Sequence, residues 1–480
     1  MTPLPSPPRV IVDPARIFDI HYPVIVVGAG GCGLTAALAA RESGLEVLVL
    51  EREATAAGTT SMSTGLIPAA GTPEQAAEGI SDDAAQFARD IQAKSGGGAD
   101  PVVVRAVTEN SAETIAWLKG RHGVPLTLVS GFTYPGHSVR RMYGSPNRTG
   151  TELMAALEQA VVAEGVDIVT SARVTTLVCD GQRQIIGVVS VRPDGEELSV
   201  GCDALILASC GYAAAPDLLA RFIPGIEEAV FHGHPGAKGD AVRWGEGLGA
   251  RLGDLDAYQG HGGLAAGHGI PILWPLIMEG GFQINRDGRR FADESRGYSE
   301  QAMKIVAQPG NIAWSILDQR LYDMMMQFDD FQQAVVAGAV VRAEDLMALA
   351  EVTRTPLEVL TKTFDSIALA RLGGEPDAFG RRFPAGQKSL TPPYYAARVN
   401  GALFHTQGGL EIDGEARVLR VDGRPFPNLF AGGGAARGIS GAGASGYIAG
   451  NGLLTATTLG KIAGRAAARQ ILARQSEAAA

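Results

Sequence analysis

The sequence predicts an α/β protein of two domains, and three observations predict it. A β-branched run, Pro23 to Val27, feeds directly into a glycine turn and an alanine/leucine helix. A second strand running into glycines, followed by a helical stretch, stands near the far end, from Leu429 to Gly464. The length, 480 residues, exceeds what one hydrophobic core usually fills.

In the first of these elements the turn reads Gly28-Ala29-Gly30-Gly31-Cys32-Gly33 and the helix LTAALAARESG. Strand, glycines and helix in that order form the fingerprint of a Rossmann-like dinucleotide-binding unit. Gly28 permits the tight turn, Gly30 with Gly31 lets backbone approach a pyrophosphate, and Gly33 lets the helix pack against the strand. The helix N-terminus then faces negative charge. A second strand, EVLVLE, ends in Glu51 at the spacing of an acid that binds a ribose, with Arg52 beside it.

At the far end, Leu429 to Gly434 reads as a buried strand entering a turn at Gly433 and Gly434. Gly446 to Gly464 reads as a glycine/asparagine turn opening a helix. Around Gly450, Asn451 and Leu453 that helix would aim backbone N–H groups and its positive end at an electron-rich ring edge.

Composition narrows the chemistry. The 63 glycines have no collagen-like period and imply many tight turns around a ligand. A net charge of -10 leaves no basic stripe for nucleic acid. No apolar run approaches the roughly 20 residues of a membrane span, and the proline-rich start is unlike a secretory signal, so a cytoplasmic protein is expected. Cys32, Cys179, Cys202 and Cys210 form no CxxC pair, so no iron–sulfur, zinc or haem motif is encoded and an organic cofactor must carry electrons. The four are read as small buried hydrophobes.

The two ends, with a series of segments between them, resemble the flavoprotein family of fumarate reductases, succinate dehydrogenases and 3-ketosteroid dehydrogenases. The segments are SMSTGLIPAAGT (61–72), RTGTEL (148–153), DALILASCGY (203–212), HPGAKGDAVRWGEGLGARL (234–252), INRDGRRFADES (284–295) and FHTQGGLEID (404–413). The resemblance implies a Rossmann-like FAD-binding domain in two parts, 1–259 and 386–480, with an α+β capping domain inserted at 260–385. It also implies that Thr59, Thr60, Ser61, Thr64, Gly65, Val174, Ala208 and Ser209 surround the FAD. Two segments inside the cap, 311–323 and 343–372, carry helical periodicity. Some family members bind FAD covalently through a histidine in the loop after the ribose acid; here that loop is GTTSMSTG, so non-covalent binding is expected.

The resemblance also frames the active site. Dicarboxylate-using members clamp substrate with arginines, one of them four residues after the glutamate that corresponds to Glu294, another just before the C-terminal turn. Both positions are tyrosines here, Tyr298 and Tyr447. The ketosteroid branch has a tyrosine at the first position, where it abstracts a proton beside a carbonyl. Tyr298 is therefore expected as base and Tyr447 as hydrogen-bond donor to the substrate carbonyl, giving a desaturase of cyclic ketones. The alternative is reduction of an enoate. His261 is a further site candidate, whereas His405 is expected to be packed or flavin-adjacent; Arg140, Arg141, Arg296 and Arg437 remain as possible anchors for a carboxylate. A small-molecule substrate and an external electron acceptor are the expected partners.

Overall fold

The computed structural model describes residues 7–129, 131–384 and 386–479. Its first sheet is built around parallel strands. Ile20–Val27 lies between Glu197–Leu207 and Val47–Leu50; beyond these lie Pro425–Ala431 on one side and Asp167–Val169 on the other. Val24–Val27 and Val47–Leu50 are unbroken apolar runs because both sheet faces are covered. An antiparallel extension, Arg173–Cys179 and Ile185–Val191, joins the N-terminal half of Glu197–Leu207.

Helix Gly31–Arg41 leaves the glycine turn and packs on the C-terminal helix Asn451–Ala479. Only glycine permits this approach: a Cβ on Gly464 would lie 2.2 Å from the Ala36 carbonyl oxygen, and one on Gly460 2.5 Å from that of Cys32. The first and last thirds of the chain thus share one core.

The second sheet is organised by one long strand, Tyr394–Thr406, which pairs with Tyr258–Ala265, Ala313–Asp318, Val340–Ala343 and Val230–Phe231. It draws in residues from both sides of the expected insertion, 260–385. Helices Tyr298–Val306, Gln319–Met325, Asp329–Val336, Leu346–Thr353 and Leu357–Gly373 accompany it. The segment 311–323, expected to be helical, is a strand followed by a helix. Trp314–Ile316 pair with Phe282–Ile284 on one side and with Tyr394–Thr406 on the other, and that pairing outweighs a local three-and-four periodicity. The segment 343–372 is helical as expected but breaks into two helices before Pro356. Among the described residues no helix is long and apolar enough to cross a membrane.

Candidate active site

The two cores meet along a cleft with about 1910 Å³ of space, partly open to solvent. One half of it is made of backbone. Gly28 (φ +105°) turns so tightly that a Cβ would lie 2.5 Å from the Ala208 carbonyl oxygen, and a Cβ on Gly33 would lie 1.8 Å from that of Gly28. Around Gly30, by contrast, a Cβ meets nothing nearer than Thr60 Oγ1 at 4.0 Å. Gly31 N–H donates to the same hydroxyl (3.1 Å). Glu51 accepts from Ala29 N–H (2.7 Å) and Glu53 N–H (2.9 Å), so the carboxylate at the strand end locks the glycine turn. Arg52 is held by the Gly236 carbonyl (2.5 Å) and Asp240 (3.4 Å).

Thr59, Thr64, Val174, Ala208, Gly433, Gly434, Gly450 and Leu453 also border the cleft. The Ser209 hydroxyl is buried there with no hydrogen-bond partner among the described residues. A Cβ on Gly434 would lie 2.9 Å from the Gly211 nitrogen, so this backbone could not carry a side chain there without shifting.

Four expected cofactor residues do not line the cleft. Gly33 acts through packing; Ser61 donates to the Gly58 carbonyl (2.9 Å). Gly65 N–H bonds Ser63 Oγ (3.1 Å), and Asn451 is fully buried with its amide on Ser440 Oγ (2.7 Å). Conversely, Cys32 and Cys210 do border it, and Cys210 Sγ lies 3.4 Å from Thr59 Oγ1. Cys32 is nonetheless a buried core residue as expected, whereas Cys210 is only half-buried. Burial pushes the Cys32 thiol up to about 12, so it stays protonated.

The other half of the cleft is made of aromatic rings. His232, Phe404, His261, Tyr298, Tyr447 and His405 form a continuous ladder with successive centroid separations of 4.9, 4.9, 5.0, 5.9 and 5.8 Å. Trp274 closes one side, 6.1 Å from Tyr298, with its indole N–H on the Glu294 carbonyl (3.0 Å). Glu294 is what steadies this wall: fully buried, it accepts from Arg290 (2.7 and 2.9 Å), Arg381 (3.1 Å) and Gln283 N–H (3.0 Å) just before helix Tyr298–Val306 begins. Those charged partners hold its carboxyl below the ordinary carboxylate range even though burial opposes ionisation.

The hydrogen bonds assign roles within the ladder. His261 Nδ1 accepts from Gly263 N–H (3.0 Å), which leaves Nε2 as the protonated nitrogen; burial drives its imidazolium pKa down to about 3. His261 is therefore a neutral donor, not a base. The Tyr298 and Tyr447 hydroxyls share a hydrogen bond in which either can donate, and the Tyr447 oxygen also receives the Gly452 N–H. Burial raises both phenols above the ordinary value, and hydrogen bonding partly offsets the effect at Tyr447. His405 is packed beside Tyr447, with Nδ1 on Gln407 (2.9 Å).

Among the described residues the only cations on the cleft are Arg52 and Arg173, both grouped with Glu51 and Asp240 at the glycine-turn end. The four candidate carboxylate anchors lie elsewhere. Arg141 is buried on Asp82 (2.9 Å) and Asp90 (2.6 Å), Arg140 pairs with Glu78 (3.2 Å), and Arg437 is held by Asp254 (2.7 Å) and Asp100 (2.8 Å). Arg296 is exposed and outside the cleft.

The backbone half suits a pyrophosphate-bearing cofactor: a cradle that a Cβ on Gly30 would fill, a helix N-terminus behind it, and an orphaned hydroxyl at Ser209. Residues 23–453 match the family described as FAD binding domain. A probable fumarate reductase of Shewanella frigidimarina (strain NCIMB 400) is 28% identical over 453 residues, covering 94% of this chain and 75% of the relative. A flavocytochrome c3 fumarate reductase solved in its open conformation superposes with a TM-score of 0.76 at 27% identity, over 95% of this chain and 79% of the other. The fold is also that of a 3-ketosteroid-delta4-(5alpha)-dehydrogenase from Rhodococcus jostii RHA1 in complex with 4-androstene-3,17-dione: TM-score 0.74, 23% identity, 96% and 100% coverage. The chain therefore belongs to the FAD binding domain family, and it is an FAD-dependent oxidoreductase acting on carbon–carbon bonds.

Proposed function

We propose that this protein is a dehydrogenase that introduces a double bond between the carbons α and β to a ketone, in a cyclic, largely apolar substrate. The observation that carries this reading is the aromatic half of the cleft, where two hydrogen-bonded phenols stand where arginines would be needed to clamp a dicarboxylate.

The Gly28–Gly33 turn, Thr60 and the Gly433–Gly434 turn would hold FAD, and the loop 58–65, free of histidine, supports a non-covalent cofactor. When bound, FAD supplies the acceptor for the hydride removed from the β-carbon. The protein's own residues handle the proton. Tyr298 and Tyr447 act as one unit: the pair gives up a proton before the reaction, and the remaining charge rests on the Tyr447 oxygen under the Gly452 N–H and the Tyr298 hydroxyl. That oxygen takes the α-proton. The neutral His261 supplies an N–H in the same aromatic wall, suited to a carbonyl oxygen gaining charge.

The competing reading, reduction of an enoate, draws on the relatives named as fumarate reductases. An anaerobic titration of the oxidised holoenzyme with cyclic ketones, 3-ketosteroids, keto acids and succinate separates the two. Bleaching of the flavin by a ketone and not by succinate is the expected result. If no ketone bleaches it and an enoate reoxidises the chemically reduced enzyme, the desaturase reading is wrong.

A further inference from the structure

The aromatic cleft has one acidic side chain on its wall that the chemistry above does not use. Asp330, in the first turn of helix Asp329–Val336, borders the cleft together with Tyr134 and the apolar Leu66, Met142, Leu273 and Trp274. Its neighbour Asp329 is engaged by Gln333 (2.6 Å), but neither the Asp330 carboxyl nor the Tyr134 hydroxyl has a hydrogen-bond partner among the described residues. Arg148, which acts on Tyr134 electrostatically, does not border the cleft; its guanidinium stacks on Phe328 (5.4 Å) and bonds Gln327.

An acid on such a wall loses hydration and recovers it only through a partner. The same charge repels an anion, and among the described residues the arginines bordering the cleft, Arg52 and Arg173, are grouped with Asp240 rather than with Asp330. Tyr134 lies within electrostatic reach of both Tyr298 and Asp330, so it connects the reacting end of the wall to the acid.

We propose that Tyr134 and Asp330 form a distal polar clamp that selects substrates carrying a hydroxyl or protonated amine remote from the reacting carbons and rejects those carrying a carboxylate there. The acid accepts from the donor group, the phenol donates to its oxygen where it has one, and the unpaired charge provides the discrimination. This rests on the ketone reading above, and it adds what the far end of the substrate must look like.

The test is binding, followed as perturbation of the oxidised flavin spectrum in the holoenzyme, so that turnover is not needed. Three cyclic ketones of one skeleton are compared: bare, with a distal hydroxyl, and with a distal carboxylate. The expected wild-type order is hydroxyl, bare, carboxylate, with Kd for the carboxylate about tenfold or more above that for the hydroxyl. Asp330→Asn should collapse that ratio toward unity, and Tyr134→Phe should weaken the hydroxyl compound selectively. A wild-type ratio near one, or a ratio unchanged in Asp330→Asn, overturns the clamp and leaves the ketone reading intact. If none of the three perturbs the flavin, both readings fall together.

Discussion

The two halves of the cleft are built on different principles. The glycine-turn half is made by backbone: its shape follows from where a Cβ would and would not fit, and its key contacts run from the turn to the neighbouring strand ends and to Thr60. The aromatic half is made by side chains from strands Tyr258–Ala265 and Tyr394–Thr406, helix Tyr298–Val306 and the loop before the C-terminal helix. A backbone site accepts one cofactor and tolerates little change; a side-chain site can be retuned residue by residue on the same fold. Differences in substrate on this fold are therefore expected to lie in the aromatic half.

The largest expected effect is on the backbone side. Gly30→Val should fill the cradle and abolish FAD binding while the chain still folds, as seen by a colourless protein with native circular dichroism; a yellow variant would refute the pyrophosphate assignment.

On the aromatic side, Tyr447→Phe and Tyr298→Phe should each retain FAD yet slow anaerobic flavin reduction by a ketone about 10²- to 10⁴-fold, Tyr447→Phe the more severely. Because burial raises both phenols, the competent ionised form grows with pH. The wild-type reduction rate should climb through the neutral range and past pH 10 without the plateau of an ordinary tyrosine, and this climb should be lost in Tyr447→Phe. Retention of most activity in both variants would remove the tyrosine mechanism.

The smallest effect on chemistry is expected behind the wall. Arg141→Ala strands the buried Asp82 and Asp90 and should cost about 3–5 kcal/mol of stability, read by chemical unfolding of the holoenzyme, with little change in reduction rate for the folded fraction. A large rate loss without a stability loss would return Arg141 to the list of substrate anchors.

What could be read from the sequence follows the same division. Gly28, Gly30 and Gly33 were legible because the turn is local, so spacing alone carries its geometry. Tyr298 and Tyr447 could be singled out as residues, but their contact joins two segments far apart in the chain and could not be read from spacing. The helical reading of 311–323 failed where a short apolar run was claimed by partner strands on both sides. Tyr134 and Asp330 carried no local signal: they lie almost 200 residues apart in the chain, and only the packing of Tyr134 on the core that holds Phe328 and Phe331 brings them to one cleft wall.

The tight crossing of helices Gly31–Arg41 and Asn451–Ala479 at Gly460 and Gly464 has a temporal consequence. Two segments far apart in the chain supply complementary walls of one cradle, so a nascent polypeptide displays a finished glycine fingerprint long before it can grip a cofactor. Flavin capture must wait until helix Asn451–Ala479 has been made, and it then seals that helix onto Gly31–Arg41.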